Sequence, residues 1–315
     1  MKRSRKFRRK RPYVNPIQNA ESVELNFGTW NIRGGLDLKI NEILDAAKKT
    51  GIKILTLSET KKKGVGKEQL DGFVHIYSGK KRRHAAQGVS VLISDEFKNN
   101  IIKHTAVSKR ILTVKLKLYG YNLCVVAIYG PTENDLQQEK NIFFKNLRET
   151  LSALKDSQEN GETEVILLGD FNARIGKKVN DRIVGPHGEK SPNRNGHRLI
   201  ELCTEYNLKI QNGFFKHPET QYTFRHGKNK KHQSIIDYGI KEDTTWTVKN
   251  VETVKDVTCG TDHFLVKMAI KIPIPERRDS VILSEDLANL RISSRNPPDI
   301  VTIVANIFNA VKNIF

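Results

Sequence analysis

The stretch Val165-Ile-Leu-Leu-Gly-Asp-Phe-Asn-Ala173 predicts a buried strand that ends in polar groups. A continuous apolar run of this length is typical of a strand covered on both faces. Gly169 permits a sharp turn or the close approach of a ligand. Asp170 and Asn172 come next, and a buried carboxylate is costly unless it is paired or binds a metal ion. We therefore expect function to lie at this strand end.

The composition predicts a protein that binds a polyanion. The 315-residue chain has a formal net charge of +19, and Lys and Arg dominate positions 2–11. This excess of positive charge favours a nucleic-acid partner, although a soluble protein with a basic targeting signal would also carry it. The basic run predicts an intracellular, nuclear protein, since no apolar segment follows it as in a secretory signal. No segment approaches the roughly 18 apolar residues of a membrane span, so we expect no membrane partner.

Apolar patterning divides the chain into three predicted parts. Residues 1–21 are basic and contain prolines, which predicts a disordered tail. Residues 22–273 alternate short strands with a few helices, which predicts a layered α/β domain with a mixed sheet. Residues 274–315 are expected to form a linker and a short amphipathic helix. That helix either docks on the domain or contacts a partner protein.

The predicted elements follow the periodicity of apolar residues. The predicted strands are residues 23–31, 52–57, 88–93, 111–118, 123–129, 165–168, 222–225, 234–240 and 265–272. The predicted helices are residues 38–49, 136–154 and 195–206. Three widely spaced cysteines are expected to be buried thiols, because they form neither a metal pair nor an even disulfide framework. Histidines outside the motifs are expected on the surface.

Polar side chains adjoin six of the apolar strands. They are Asn31, Glu59, Tyr129, Asp170, Asn172, Asp237, Asp262 and His263. In layered α/β folds strand ends meet at one rim, where ligands bind. Carboxylate and amide oxygens suit Mg²⁺ or Mn²⁺ rather than zinc, and neither a Walker loop nor a nucleophile elbow is present. The residues therefore predict metal-assisted attack of water on a phosphoester.

Six motifs occur in the order typical of the endonuclease/exonuclease/phosphatase superfamily. They are Thr29-Trp-Asn-Ile-Arg-Gly34, Leu57-Ser-Glu-Thr60, Ala127-Ile-Tyr-Gly-Pro-Thr132, Leu168-Gly-Asp-Phe-Asn-Ala173, Ile236-Asp-Tyr238 and Gly260-Thr-Asp-His263. The chain resembles this superfamily over residues 23–273. In detail it resembles the endonuclease domain of RTE/BovB-type non-LTR retrotransposons. A complete element would continue into a reverse transcriptase, so we expect a stand-alone endonuclease.

The resemblance implies a four-layered α/β sandwich of two packed mixed sheets flanked by helices. It also implies roles on the metal side of the site. Glu59 matches the principal ligand of Mg²⁺, for which Mn²⁺ is expected to substitute. Asn31 and Asp262 match residues that complete the surroundings of the metal and the phosphate, partly through water.

The resemblance further implies roles on the phosphate side. Asp170 matches the residue that orients or deprotonates the attacking water, and Asn172 positions Asp170 and the phosphate. His263 matches the imidazole on the scissile phosphate, with Asp237 as its buttress. Tyr129 matches a phenol that contacts the phosphate.

Basic residues predict contacts with double-stranded DNA. The abasic-site repair enzymes of the superfamily carry an Asp where this chain has Arg33, which disfavours a repair role and makes Arg33 a candidate DNA contact. A hairpin that enters DNA in retrotransposon endonucleases matches a basic segment of this chain. Its candidate contacts are Arg225, Lys228, Lys230 and Lys231. Such phosphate contacts supply affinity rather than sequence choice.

The predicted function is a Mg²⁺-dependent endonuclease, derived from a retrotransposon, that nicks DNA and leaves 3′-hydroxyl ends. One alternative is a domesticated DNA-binding or chromatin-binding protein with weak or no catalysis. The intact set of motif residues argues against that alternative. The other is a phosphatase of the same superfamily that acts on inositol phosphates or lipids. The basic segment before Ile235 argues against it.

Overall fold

Two mixed β-sheets form the centre of this computed structural model, which describes residues 21–80, 87–156, 163–226 and 232–275. Residues Glu21–Ile274 make up one compact unit. The predictions for the N-terminal tail, for the C-terminal linker and helix, and for Lys228, Lys230 and Lys231 lie outside the described residues.

The strands and helices alternate along the chain. The strands are β1 (Ser22–Asn31), β2 (Ile52–Ser58), β3 (Val65–Leu70), β4 (Phe73–Ser78), β5 (Val89–Ser94), β6 (Ile101–Ser108), β7 (Ile111–Leu118), β8 (Tyr121–Tyr129), β9 (Thr163–Asp170), β10 (Lys209–Ile210), β11 (Phe224–His226), β12 (His232–Ser234), β13 (Asp237–Lys241), β14 (Thr247–Val254) and β15 (Leu265–Pro273). The helices are α1 (Leu36–Thr50), α2 (Gln137–Asp156) and α3 (Arg194–Glu205), with short 3-10 helices at Asp95–Asn100 and Gln211–Phe214.

Both large sheets combine parallel and antiparallel pairs. Within the described ranges, one sheet has the strand order β14-β15-β1-β2-β5-β4-β3 and the other has the order β10-β13-β9-β8-β7-β6. The parallel pairs are β1 with β2 and β8 with β9, and α1 and α2 form the respective crossovers. Strands β11 and β12 form a separate hairpin.

Three apolar clusters divide the domain into four layers. The central cluster lies between the sheets and includes Phe27 and Ile54 from the first sheet and Leu168 from the second. A second cluster packs α1 on the outer face of the first sheet. A third packs α2 and α3 on the outer face of the second sheet. The predicted four-layered α/β sandwich is confirmed.

Side-chain alternation directs several polar strand ends into the space between the sheets. Successive side chains of a strand face opposite sides of the sheet. In β8, Ala127 and Tyr129 pack in the central cluster, whereas Val126 and Ile128 pack against the helices. The same alternation sets Leu168 and Asp170 on one face of β9. Function-bearing side chains therefore lie at the end of the central layer.

The turn from β1 into α1 uses three consecutive residues with positive φ. They are Arg33 (φ 58°), Gly34 (φ 86°) and Gly35 (φ 72°). Glycine adopts this left-handed conformation without the steric penalty that other residues meet. Helix α1 ends at Thr50, and the backbone of the capping residue Gly51 is again left-handed.

Some predictions of local structure are wrong. The strand predicted for residues 234–240 is broken, because the N–H of Ile235 donates to Glu189 and that of Ile236 donates to Thr223 rather than to a neighbouring strand. Strands β3, β4, β6, β10 and β14 were not predicted. Polar residues make up about half of β3 and of β6, and neither strand has a fully buried residue. His75, expected on the surface, is fully buried in β4.

The prediction that the cysteines are buried is confirmed. Cys124, Cys203 and Cys259 are buried free thiols. In the part of the chain that the structure describes, no helix is both long and apolar enough to cross a membrane.

Candidate active site

Strand register places three candidate residues side by side at one end of the second sheet. Tyr129 at the end of β8 is paired with Asp170 at the end of β9. Asp170 is in turn paired with Asp237 at the start of β13. The parallel pair β1–β2 does the same in the first sheet, where Asn31 is paired with Ser58 and Glu59 follows.

Asn31 joins the two sheets through its amide. Its Nδ2 atom donates to Oδ2 of Asp170 at 2.8 Å and to Oε1 of Glu59 at 3.1 Å. The hydroxyl of Tyr129 donates to the same Oε1 atom of Glu59 at 2.8 Å. Burial and the nearby Glu59 and Asp170 carboxylates hold the pKa of Tyr129 well above its usual value, so the phenol stays a donor. Four predicted site residues thus form one hydrogen-bonded network.

Asp170 and Asn172 form a tight unit at the end of β9. The backbone N–H of Asn172, a residue with φ 48°, donates to Oδ1 of Asp170 at 2.8 Å. Its amide donates to the carbonyl oxygen of Gly130 at 3.1 Å. Burial, together with the charge of Asp237, raises the pKa of Asp170 to about 7. A carboxyl with a pKa near neutrality is suited to accept a proton from water.

His263 and Asp237 form a buried pair next to Asp170. Nδ1 of His263 lies 2.9 Å from Oδ2 of Asp237. Burial alone would lower the pKa of His263, but the charge and hydrogen bond of Asp237, with the Asp170 charge, raise it to about 9. The imidazole is therefore protonated at neutral pH, and its Nε2–H is the donor left for a substrate. The indole N–H of Trp30 donates to the carbonyl oxygen of His263 at 3.1 Å, which fixes the backbone of His263.

Asp262 lies apart from this network and contacts basic side chains. Its Oδ2 atom accepts from Nη1 of Arg33 at 3.0 Å and lies 3.1 Å from Nδ1 of His226. The backbone N–H of Arg225 donates to the carbonyl oxygen of Asp262 at 2.8 Å. The predicted DNA contacts Arg33 and Arg225 are thus attached to the loop that carries His263.

Several residues that the sequence did not single out hold the site in place. Thr223 is buried, and its hydroxyl accepts the backbone N–H of Asp237 at 3.1 Å. The hydroxyl of Thr261 donates to the carbonyl oxygen of Asn31 at 2.8 Å. Arg110 donates to the carbonyl oxygens of Tyr129 and Gly130. Thr261 lies within a quoted motif and could have been chosen, whereas Arg110 and Thr223 have no local signal.

Known proteins are similar to this chain in sequence and in fold. Residues 123–267 match the model of a family described as endonuclease-reverse transcriptase. Over 275 residues the chain is 28% identical to craniofacial development protein 2 of Bos taurus. The aligned region covers 84% of this chain and 45% of that protein. The chain spans less than half the length of the curated relatives it matches.

Solved nucleases share the fold. AP endonuclease LMAP from Leishmania major matches with a TM-score of 0.62 at 18% identity, covering 79% of this chain and 88% of that one. The endonuclease domain of TRAS1, a telomere-specific non-LTR retrotransposon, matches with a TM-score of 0.53 at 14% identity, covering 80% of this chain and 100% of that one. The chain resembles the endonuclease/exonuclease/phosphatase superfamily. The resemblance to this superfamily that the motifs indicated is confirmed.

The endonuclease/exonuclease/phosphatase superfamily comprises hydrolytic nucleases and phosphatases that typically use divalent metals. The donor set of this chain fits such a cation. Among the described residues, Oε2 of Glu59 accepts no hydrogen bond, and Oδ1 of Asp237 is buried without a partner. One carboxylate oxygen of Asp170 and one of Asp237 lie within 4.8 Å of each other. Carboxylate oxygens that lack donors suit a hard divalent cation.

Proposed function

We propose that this protein is a metal-dependent endonuclease that hydrolyses a phosphodiester bond of double-stranded DNA and leaves a 3′-hydroxyl end. One observation carries the proposal. Asn31 and Glu59 of the first sheet are hydrogen-bonded to Tyr129 and Asp170 of the second, beside the buried His263–Asp237 pair. This arrangement combines a proton acceptor, a proton donor and a metal-binding carboxylate, which are the groups that phosphoester hydrolysis requires.

Each side chain has a distinct task in the proposed reaction. Ionised Asp170 accepts a proton from the attacking water, and Asn172 holds Asp170 in place. The water oxygen bonds to phosphorus as the bond from phosphorus to the 3′ oxygen breaks, and the 3′ oxygen takes up a proton from solvent to become the hydroxyl. Protonated His263 donates from Nε2 to a phosphate oxygen, where negative charge grows in the transition state. Glu59 would hold the cation through its free carboxylate oxygen. When bound, Mg²⁺, or Mn²⁺ in its place, would supply positive charge against the phosphate.

The basic charge of the chain supports DNA as the substrate. A net charge of +19 attracts a polyanion over long distances, which raises the rate of encounter. Arg33 and Arg225 lie at the loop that carries His263. We further propose a nuclear location, because the basic run at positions 2–11 resembles an import signal.

Plasmid nicking tests the proposal. The full chain should convert supercoiled plasmid to the open circle with Mg²⁺ and not with EDTA. A DNA polymerase should extend the nick without prior phosphatase treatment, because the 3′ end is a hydroxyl. Asp170→Asn and His263→Gln should each lower the rate by at least about a hundredfold, in line with the loss of a general acid or base.

Matched substitutions outside the site serve as controls. Asp71→Asn removes a carboxylate whose side chain is 85% exposed, and His104→Gln alters a partly exposed histidine of β6. Both should nick at the wild-type rate. Nicking that survives Asp170→Asn would overturn the mechanism. Tight DNA binding without turnover would favour a DNA-binding protein, and release of phosphate from inositol phosphates without nicking would favour a phosphatase.

A further inference from the structure

Arg33 is held in place by contacts on both its backbone and its side chain. Its backbone N–H donates to Oδ1 of Asn31 at 2.9 Å, which fixes its left-handed conformation. Its Nη1 atom donates to Oδ2 of Asp262 at 3.0 Å, while the side chain remains 54% exposed. One hydrogen bond occupies one of the five N–H groups of a guanidinium. The remaining donors can bind an anion without losing the contact with Asp262.

Asp262 is bonded to basic side chains rather than available to a metal ion. Its side chain is 15% exposed, and Oδ2 contacts both Arg33 and His226. The guanidinium is always charged, so it neutralises Asp262 and repels a metal ion placed beside it.

The hairpin β11–β12 contributes the second basic partner. The rings of His226 and Phe224 are stacked, with centroids 6.2 Å apart and an interplanar angle of 2°. Phe224 also contacts the ring of His263, at a centroid distance of 5.0 Å. The hairpin therefore places His226 against the same Oδ2 atom of Asp262 that Arg33 contacts. Asp262 directly precedes His263, the proposed proton donor.

We propose that Asp262 is a positioning residue for Arg33 rather than a metal ligand, and that Arg33 and His226 together form a binding site for a DNA backbone phosphate at the rim of the active site. This inference rests on the proposed function in taking DNA as the substrate.

The charge of Asp262 makes the proposal sharply testable. Asp262 is negative, so removing its charge near a bound phosphate should strengthen DNA binding if the residue acts only through its own field. If Asp262 positions Arg33, removing it should weaken binding. The two explanations predict changes of opposite direction.

DNA binding is measured by fluorescence anisotropy on a duplex, with the full chain in EDTA and over a range of salt concentrations. Arg33→Gln and Asp262→Asn should each raise Kd roughly tenfold, and Arg33→Gln should lower the salt slope by about one. The double variant should bind as Arg33→Gln does, because Asp262 acts through Arg33. Arg182→Gln, which alters an exposed arginine bound to Asn207, is the matched control and should change Kd by less than twofold.

Metal affinity is measured separately, by Mn²⁺ titration of the DNA-free chain with electron paramagnetic resonance. Asp262→Asn should leave Mn²⁺ affinity within about twofold of wild type, whereas Glu59→Gln should lower it at least tenfold, consistent with loss of a metal ligand. Unfolding by urea checks that each variant is folded. If Asp262→Asn does not fold, Arg33→Gln alone decides the phosphate contact.

The outcomes separate this inference from the proposed function. A tenfold loss of Mn²⁺ affinity in Asp262→Asn, or unchanged DNA binding in Arg33→Gln, would overturn the inference even if wild type nicks plasmid. Absence of nicking, together with the predicted losses of DNA binding, would overturn the endonuclease and leave the phosphate site standing.

Discussion

Asp170 and Asp237 are paired directly across strands β9 and β13, and both carboxyl groups are buried. His263 contacts Asp237 at 2.9 Å and is the buried cation of this group. Two neighbouring carboxylates resist simultaneous ionisation, and each favours protonation of the imidazole. The strand register therefore sets the protonation of both proposed proton-transfer groups.

The rate of DNA cleavage should depend on pH with two limbs. Asp170 acts in its ionised form, so kcat/KM should rise as pH passes through about 7. His263 acts in its protonated form, so kcat/KM should fall as pH passes through about 9. The measurement is plasmid nicking from pH 5.5 to 10 at saturating Mg²⁺ and fixed ionic strength.

Asp237→Asn tests the origin of this profile. Removing the Asp237 charge lowers the pKa of Asp170 and also lowers the pKa of His263. Both limbs should therefore move to lower pH, with the residual rate measured at high enzyme concentration. Limbs that stay in place would contradict the electrostatic coupling deduced from the strand register.

The same pair should make stability depend on pH. The pKa of His263 is raised from 6.5 to about 9 in the folded state, so its contribution is complete below pH 6.5 and is lost as pH rises through about 9. The contribution is at most about 3 kcal/mol. We compare the single variant Asp170→Asn with the double variant Asp170→Asn/His263→Gln, because neither has an Asp170 carboxyl that titrates.

The free energy of unfolding, measured by urea in EDTA, should fall more steeply with rising pH in the single variant, which keeps His263. Parallel curves for the two variants would refute the assignment of this pH dependence to His263.

Arg110 should be important for both stability and cleavage. Its guanidinium is buried, donates to the carbonyl oxygens of Tyr129 and Gly130, and lies 5.1 Å from the Tyr129 ring centroid. Arg110→Met removes one donor from each of these acceptors and from the partner Asp135, and the Tyr129 carbonyl oxygen loses its side-chain donor. We expect a loss of about 2–4 kcal/mol in unfolding free energy and a roughly tenfold lower kcat, because Gly130 also holds Asn172.

An exposed ion pair provides the control for Arg110. Lys145 pairs with Glu149 at 3.8 Å on the surface of α2, and both side chains are more than half exposed. Lys145→Met should change the unfolding free energy by less than about 0.5 kcal/mol and leave cleavage unchanged. If Lys145→Met and Arg110→Met lowered the unfolding free energy and kcat equally, the contacts of Arg110 with Tyr129 and Gly130 would not explain its effect.

Gly169 should tolerate no side chain. A Cβ atom at this position would lie 2.0 Å from the carbonyl oxygen of Ile128 on the paired strand β8. Gly169→Ala must push β8 and β9 apart next to Asp170, so we expect a loss of more than about 3 kcal/mol in thermal or urea unfolding. Gly64→Ala, where a Cβ meets nothing within 4 Å, should cost only about 1 kcal/mol for its positive φ. Comparable losses at the two positions would contradict the close approach.

The sequence predicted the layers and most of the strands that carry the site, because continuous apolar runs are local signals. The run before Gly169 is strand β9, and Asp170 and Asn172 lie at its end as expected. The last residue of β12 and most of β13 were predicted as a single strand, residues 234–240. Side-chain acceptors from Glu189 and Thr223 replace the strand ladder there, and no local pattern reveals an acceptor that is distant in sequence.

The sequence by itself determined which chemical groups end the strands, since apolar runs and the polar residues that follow them are adjacent along the chain. Only the tertiary structure decided which of these groups meet. Asn31 contacts Asp170 across 139 positions of sequence, and Arg33 contacts Asp262 across 229. Both contacts require the two sheets and their loops to pack in one arrangement. The sequence therefore determines which side chains carry charge, whereas tertiary packing determines the partners that these charges contact.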